Sequence, residues 1–248
     1  MKNKLGAILR GVLIVLMSAT TVMTLLGAVG TACIAWNADK YGAAFAFYVP
    51  YMPTYQTFVY IKLVVALVGT MVTYALLRGD RWFYVGALAT LLAGLGAAAT
   101  QMYYTSTLKG VSFFAVAPTN IRFYITAVTL IAFLIIRIPG IWNKSGLGNP
   151  TSQPGSPMAA GGAALIVAGA LIVTTPLWVG ETHMLDGYNL VYTLELPLLI
   201  DGIAMLLAGA AMVFGRRVLA LVRAKQSSVV SIQSVSYTHL TLPTIYSV

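Results

Sequence analysis

Acidic residues are scarce in this chain: six Asp and Glu stand among 248 residues, against fifteen Lys and Arg. Charged residues make up only 8%, far below the roughly one quarter usual in a soluble domain, which excludes an ordinary water-soluble globule. Cysteine occurs once, as Cys33, so no intrachain disulfide framework and no paired-thiol redox or zinc site can form. The two histidines, His183 and His239, stand far apart in sequence. Glu181, His183 and Asp186 put three potential ligands in six residues, but one imidazole without a second His or Cys is a poor metal set, and a solvated turn is expected there. Walker, GxGxxG, nucleophile-elbow and HExxH patterns are missing as well. The reading therefore leans away from an enzyme, and neither cofactor nor metal is expected.

What is present is apolar. Hydrophobic residues make up 59% of the chain. They gather into six runs, Gly11–Ala35, Val59–Leu77, Trp82–Tyr103, Phe123–Arg137, Ala159–Val179 and Leu190–Phe214. Most are close to the ~20 residues that cross a bilayer, and the fourth run is completed by residues 120–122. The expectation is an all-α integral membrane protein, a bundle of six transmembrane helices. The first run, at about 25 residues, exceeds the 7–15 of a signal-peptide core, so it is expected to stay as a helix.

The net charge of +9 sorts by loop. One side carries Lys2, Lys4, Arg10, Arg78, Arg81, Arg137, Lys144, Arg216, Arg217, Arg223 and Lys225; the other has Lys40, Lys62, Lys109 and Arg122. Lys and Arg concentrate in cytoplasmic loops, so both termini are expected inside, with a prokaryotic cytoplasmic membrane as the location. The basic residues sit at helix ends rather than among stacking aromatics, which argues against nucleic acid as a partner. The lipid bilayer is the expected partner, with a small hydrophobic or ionic ligand.

Composition divides the chain. Residues 1–137 hold four spans. Weak self-similarity there, Pro53-to-Phe58 against Pro118-to-Phe123, suggests a tandem hairpin repeat. Residues 138–158, rich in Gly, Pro, Ser and Asn, read as a flexible cytoplasmic linker. Residues 159–225 hold two more spans, and 226–234 read as a disordered tail. Residues 235–244 (VSYTHLTLPT) resemble the in-frame translation of a transposase-type sequencing adapter. Residues 235–248 are therefore expected not to be native, and His239 is set aside with them. Small residues four apart, Gly86, Thr90, Gly94 and Ala98 in one run and Ala160, Ala164 and Ala168 in another, permit close helix contact within the chain or in a homo- or hetero-oligomer.

Two sets of residues could carry function. Glu195 and Asp201 are the only carboxylates inside a predicted span. Asp201 lies about 18 Å below the outer end, near the midplane, and Glu195 about 9 Å. A charge at that depth costs at least about 2.5–3.5 kcal/mol and seeks a partner. Pro197, between the two, is expected to kink the helix. Lys62, at a depth similar to that of Glu195, is its natural partner, with Arg122 the rival. An ion pair locking two hairpins and an ion or proton site are both open readings; for Asp201 a proton relay or cation site is favoured. The second set is aromatic: Trp36, Tyr48, Tyr51 and Tyr55 in the first outer loop, Phe113 and Phe114 in the second. Most of this reads as an interfacial belt, and the surplus could roof an outer cleft for a lipid or quinone-like amphipath. Three functions follow: an ion- or proton-coupled carrier using the carboxylate of the sixth helix, which is favoured; an amphipath-binding subunit; and an assembly subunit.

Overall fold

The computed structural model describes residues 4–116, 118–145, 147, 157–179, 184–185 and 188–235. The glutamate, histidine and aspartate at 181, 183 and 186, about half of the linker and nearly all of the adapter-like tail lie outside them.

The chain is built of helices: α1 (Lys4–Asn37), α2 (Met52–Arg78), α3 (Phe83–Lys109), α4 (Thr119–Ile136), the short α5 (Pro139–Ser145), α6 (Pro157–Val173), α7 (Thr175–Val179), α8 (Leu190–Thr193) and α9 (Glu195–Val235). One two-residue ladder pairs Met184–Leu185 with Tyr188–Asn189. Among the described residues, five segments are long and apolar enough to cross a membrane: Ile8–Lys40, Phe45–Arg78, Phe83–Lys109, Thr119–Ile136 and Glu195–Gly215. The sixth expected span is shorter, with Gly161–Val173 as its apolar helix. It stops because Pro176 has no N–H for the ladder. The chain turns at Thr174, whose hydroxyl bonds the Ala170 carbonyl at 2.7 Å.

Prolines decide the other departures from the hydropathy reading. The first outer connection is largely helical: a 3-10 run covers Ala43–Tyr51, and α2 begins at Met52 with Pro53 in its first turn. There the missing N–H costs nothing and the fixed φ favours the helix. Pro197 behaves alike. The run Leu190–Phe214 breaks at Leu194, α9 starts at Glu195, and Pro197 sits in its first turn instead of kinking a continuous helix. Glu195 thereby becomes the acidic residue of a helix N-terminus, a favourable place for negative charge. At the turn from α2 to α3, Gly79 closes α2 with φ 75°, its N–H bonded to the Ala75 carbonyl, a left-handed cap that any Cβ would strain.

α1 packs along α2 and α4, and α3 completes the bundle against α2 and α4. Gly94 of α3 faces Val65 of α2 and Thr126 of α4, so the small-residue ridge of the third run is used within the chain. α6 lies on α1 and α9 on α6. These last two meet backbone to backbone. A Cβ on Gly169 would lie 2.5 Å from the Gly202 carbonyl oxygen, and one on Gly209 would lie 2.5 Å from that of Gly162.

Two apolar cores fill the first four helices. The inner one gathers Leu13, Met17, Val72, Leu76, Phe83, Leu91 and Phe133. The outer one gathers Ala28, Ala35, Tyr48, Tyr55, Phe58 and Val59. Between them runs a polar layer.

A candidate anion site in the polar layer

The layer follows from helical spacing. Thr20, Thr24, Gly27 and Thr31 recur on α1 every three or four residues, one face of a helix. Thr126 and Thr129 do the same on α4 below Arg122. The hydroxyls are tied into the bundle: Thr20 and Thr129 share a hydrogen bond of 2.8 Å, and the Thr24 hydroxyl donates to the Thr20 carbonyl at 2.7 Å.

Two cations sit at the outer end of this layer. Lys62 is 2% exposed and Arg122 3% exposed. Gly27 is where they meet. A Cβ placed there would lie 3.3 Å from Arg122 Cδ, 3.9 Å from its Nε and 3.9 Å from Lys62 Nζ. The two charged groups therefore stand less than twice that last distance apart. Lys62 donates to the Gly27 carbonyl at 2.9 Å and to the Thr31 hydroxyl. The Thr31 hydroxyl donates in turn to the Gly27 carbonyl at 2.8 Å, and Gln101 Nε2 of α3 donates to Thr31 Oγ1 at 3.2 Å.

Arg122 is different. Its Nε, Nη1 and Nη2 are all buried without a hydrogen-bond partner, as is Gln101 Oε1. Three features of its environment oppose a lone guanidinium. Burial costs several kcal/mol per ion unless the charge is compensated. A second cation lies nearby. Arg122 also occupies the first turn or so of α4, the positive end of the helix dipole. An anion would offset the cost of burying the guanidinium, and the second cation and the helix dipole would both favour it.

The structure brings together Lys62 and Arg122 out of the first residue set but leaves the carboxylates elsewhere. Glu195 and Asp201 are exposed on α9, and among the described residues neither has an ion-pair partner, whereas Arg78 and Asp80 stand 3.9 Å apart. Also among the described residues, no group of three His, Cys, Asp or Glu gathers as a metal site. The aromatic set disperses. Tyr48 and Tyr55 are buried in the outer core, edge to face at 5.1 Å, and the Tyr55 hydroxyl shares a 2.7 Å bond with Thr105. Trp36 meets Tyr60, Tyr51 is exposed, and Phe113 and Phe114 pack on each other and on Phe123 and Tyr124. An open groove of about 370 Å³ lies nearby, lined by Pro53, Thr54, Thr57, Phe58, Thr100 and Tyr104, of which Phe58 and Tyr104 are aromatics of the two connections at that end.

Gln101, Gly27 and Thr31 were not singled out from sequence. Gln101 carried a usable signal, being the sole amide side chain in its span, where polar groups are expensive and tend to face other helices. Comparison with protein-family models, curated proteins and solved structures finds no match to this chain.

Proposed function

We propose that the chain is a small membrane carrier for an anionic solute, bound in the polar layer between Lys62 and Arg122. The observation that carries this reading is the buried Arg122 guanidinium with no acceptor on any of its three nitrogens. In this reading the ion site of a carrier is cationic and lies among α1–α4, rather than centring on the Asp201 carboxylate. The chain crosses a prokaryotic cytoplasmic membrane six times with both termini inside, α6 and α7 together completing the short span. An oligomer built through small-residue faces would have to use the half-buried Ala164 and Ala168 of α6, because the ridge of α3 is spent within the chain.

The reading is tested on purified protein and proteoliposomes. Replacing a buried, uncompensated charge by a neutral group is neutral or stabilising for a ligand-free protein. Arg122→Gln is therefore expected to match or exceed the wild type in thermal stability without anions, and to lose the stabilisation that anions give the wild type. Anion uptake into liposomes should fall with it. If Arg122→Gln unfolds the protein in the absence of anions, the arginine is structural and the proposal fails. If anions neither stabilise nor cross while an amphipath does, the outer groove is the site and the carrier reading gives way.

A further inference from the structure

Gln101 is oriented by its neighbours, and the orientation says something about the ligand. Thr31 Oγ1 has a single proton, spent on the Gly27 carbonyl at 2.8 Å. Lys62 Nζ and Gln101 Nε2 both reach that same oxygen, so both must arrive as donors. Turning the amide over would require the Thr31 proton to leave the Gly27 carbonyl for the amide oxygen. Gln101 therefore presents its N–H to Thr31, and its Oε1 is left buried without a donor; the residue as a whole is 4% exposed. Arg122 has donors without acceptors, yet no hydrogen bond joins its guanidinium to Gln101 Oε1. The layer holds two opposite deficits at once.

Resting on the anion-site reading, the geometry points to a hydroxylated oxyanion as the ligand, one that accepts from Arg122 and Lys62 through its charged oxygens and donates its own O–H to Gln101 Oε1. Hydrogencarbonate and hydrogen phosphate have this chemistry, the first planar and matched to the guanidinium fork, the second tetrahedral. Nitrate, sulfate and chloride carry no proton at neutral pH. They can satisfy Arg122 but leave the amide oxygen bare, and a buried acceptor without a donor weakens binding by about ten- to a hundredfold.

The test is a titration of the full chain in detergent at neutral pH and constant ionic strength. Hydrogencarbonate, phosphate, nitrate and sulfate are each followed by thermal stability and calorimetry. One or both hydroxylated anions are expected to bind at least tenfold more tightly than nitrate and sulfate, and whichever of the two binds more tightly identifies the shape. Gln101→Met should bring the hydroxylated anions down to the level of the others. Gln101→Glu, which supplies a carboxylate from within, should abolish binding while raising thermal stability. Nitrate or sulfate binding as tightly as the hydroxylated pair, yet still lost in Arg122→Gln, would overturn the hydroxyl requirement and leave the anion site standing. No anion binding at all would remove the anion site itself. Unchanged binding in Gln101→Glu would place Gln101 outside the site and sink the inference.

Discussion

Gly27 does for the cation pair what no side chain could. Its missing Cβ leaves room for Arg122 Cδ, and its carbonyl accepts from both Lys62 and Thr31. A methyl group there would sit 3.3 Å from Arg122 Cδ, tight enough that the arginine must give by a few tenths of an ångström. Alanine is also the better helix former by about 1 kcal/mol. Gly27→Ala is therefore expected to change thermal stability little while weakening anion binding several-fold, as measured by titration beside the wild type. Lys62 and Arg122 were legible in the sequence because a charge inside an apolar run is conspicuous. Their assignment was not. From sequence, Lys62 called for a carboxylate at equal depth, and Glu195 was the one at hand. Depth along a helix says nothing about azimuth or about which helices are neighbours, and α9 lies against α6, away from the cations.

At the scale of the elements, spans and their order were readable from apolar runs, whereas ends were not. A proline in an apolar run either kinks a helix or starts one, and hydropathy is the same in both cases. Pro53 and Pro197 both start one, which turns an expected loop into two turns of α2 and leaves Glu195 at a helix terminus. The α6–α9 hairpin shows a related limit. The alanine spacing of α6 drew attention, but the close approach is made by Gly162 and Gly169 against Gly209 and Gly202, seven apart on each helix. That seven-residue repeat is the seam of two helices packed nearly side by side. Asp201 precedes Gly202 and so turns off the seam, exposed beside the apolar Ile200 and Ile203. With α9 starting at Glu195, Asp201 lies about 9 Å into its span rather than at the midplane, and an exposed carboxylate inside a span costs up to about 2.5–3.5 kcal/mol. Asp201→Leu is accordingly expected to raise thermal stability and to leave Arg122-dependent anion binding intact. If binding or uptake is lost in a folded Asp201→Leu protein, the carboxylate belongs to the transport machinery and the sequence reading of α9 regains its place.

For the whole molecule, charge and packing give two separate handles on direction. The turns at one end are basic: Arg78 and Arg81 flank the connection from α2 to α3, and Arg137 follows α4. The opposite end carries the aromatic 3-10 run, Lys40, Lys109 and the groove. The cation layer is not centred between these ends. Lys62 lies about 15 Å along α2 from its outer start, and Arg122 only about 5 Å into α4. The inner core, with Leu13, Met17, Leu76 and Phe133 fully buried, closes the way from the layer to the basic side. If the basic side is cytoplasmic, the binding layer lies nearer the outside, and transport must part the core around Tyr48 and Tyr55 on one side of it and the core around Leu76 and Phe133 on the other. Orientation is thus the fact on which the direction of uptake turns, and it is open to direct measurement. Reporter fusions after Gly79 and after Ser145 are expected to read as cytoplasmic, and a fusion after Gly110, in the turn that follows α3, as external. Such fusions depend on the positive charges of short loops, so moving Arg78 and Arg81 to the outer connection should weaken or reverse the pattern. A bundle that reads Gly110 as cytoplasmic would place the cation layer against the inner leaflet, and the carrier would then take its anion from the cytoplasm first.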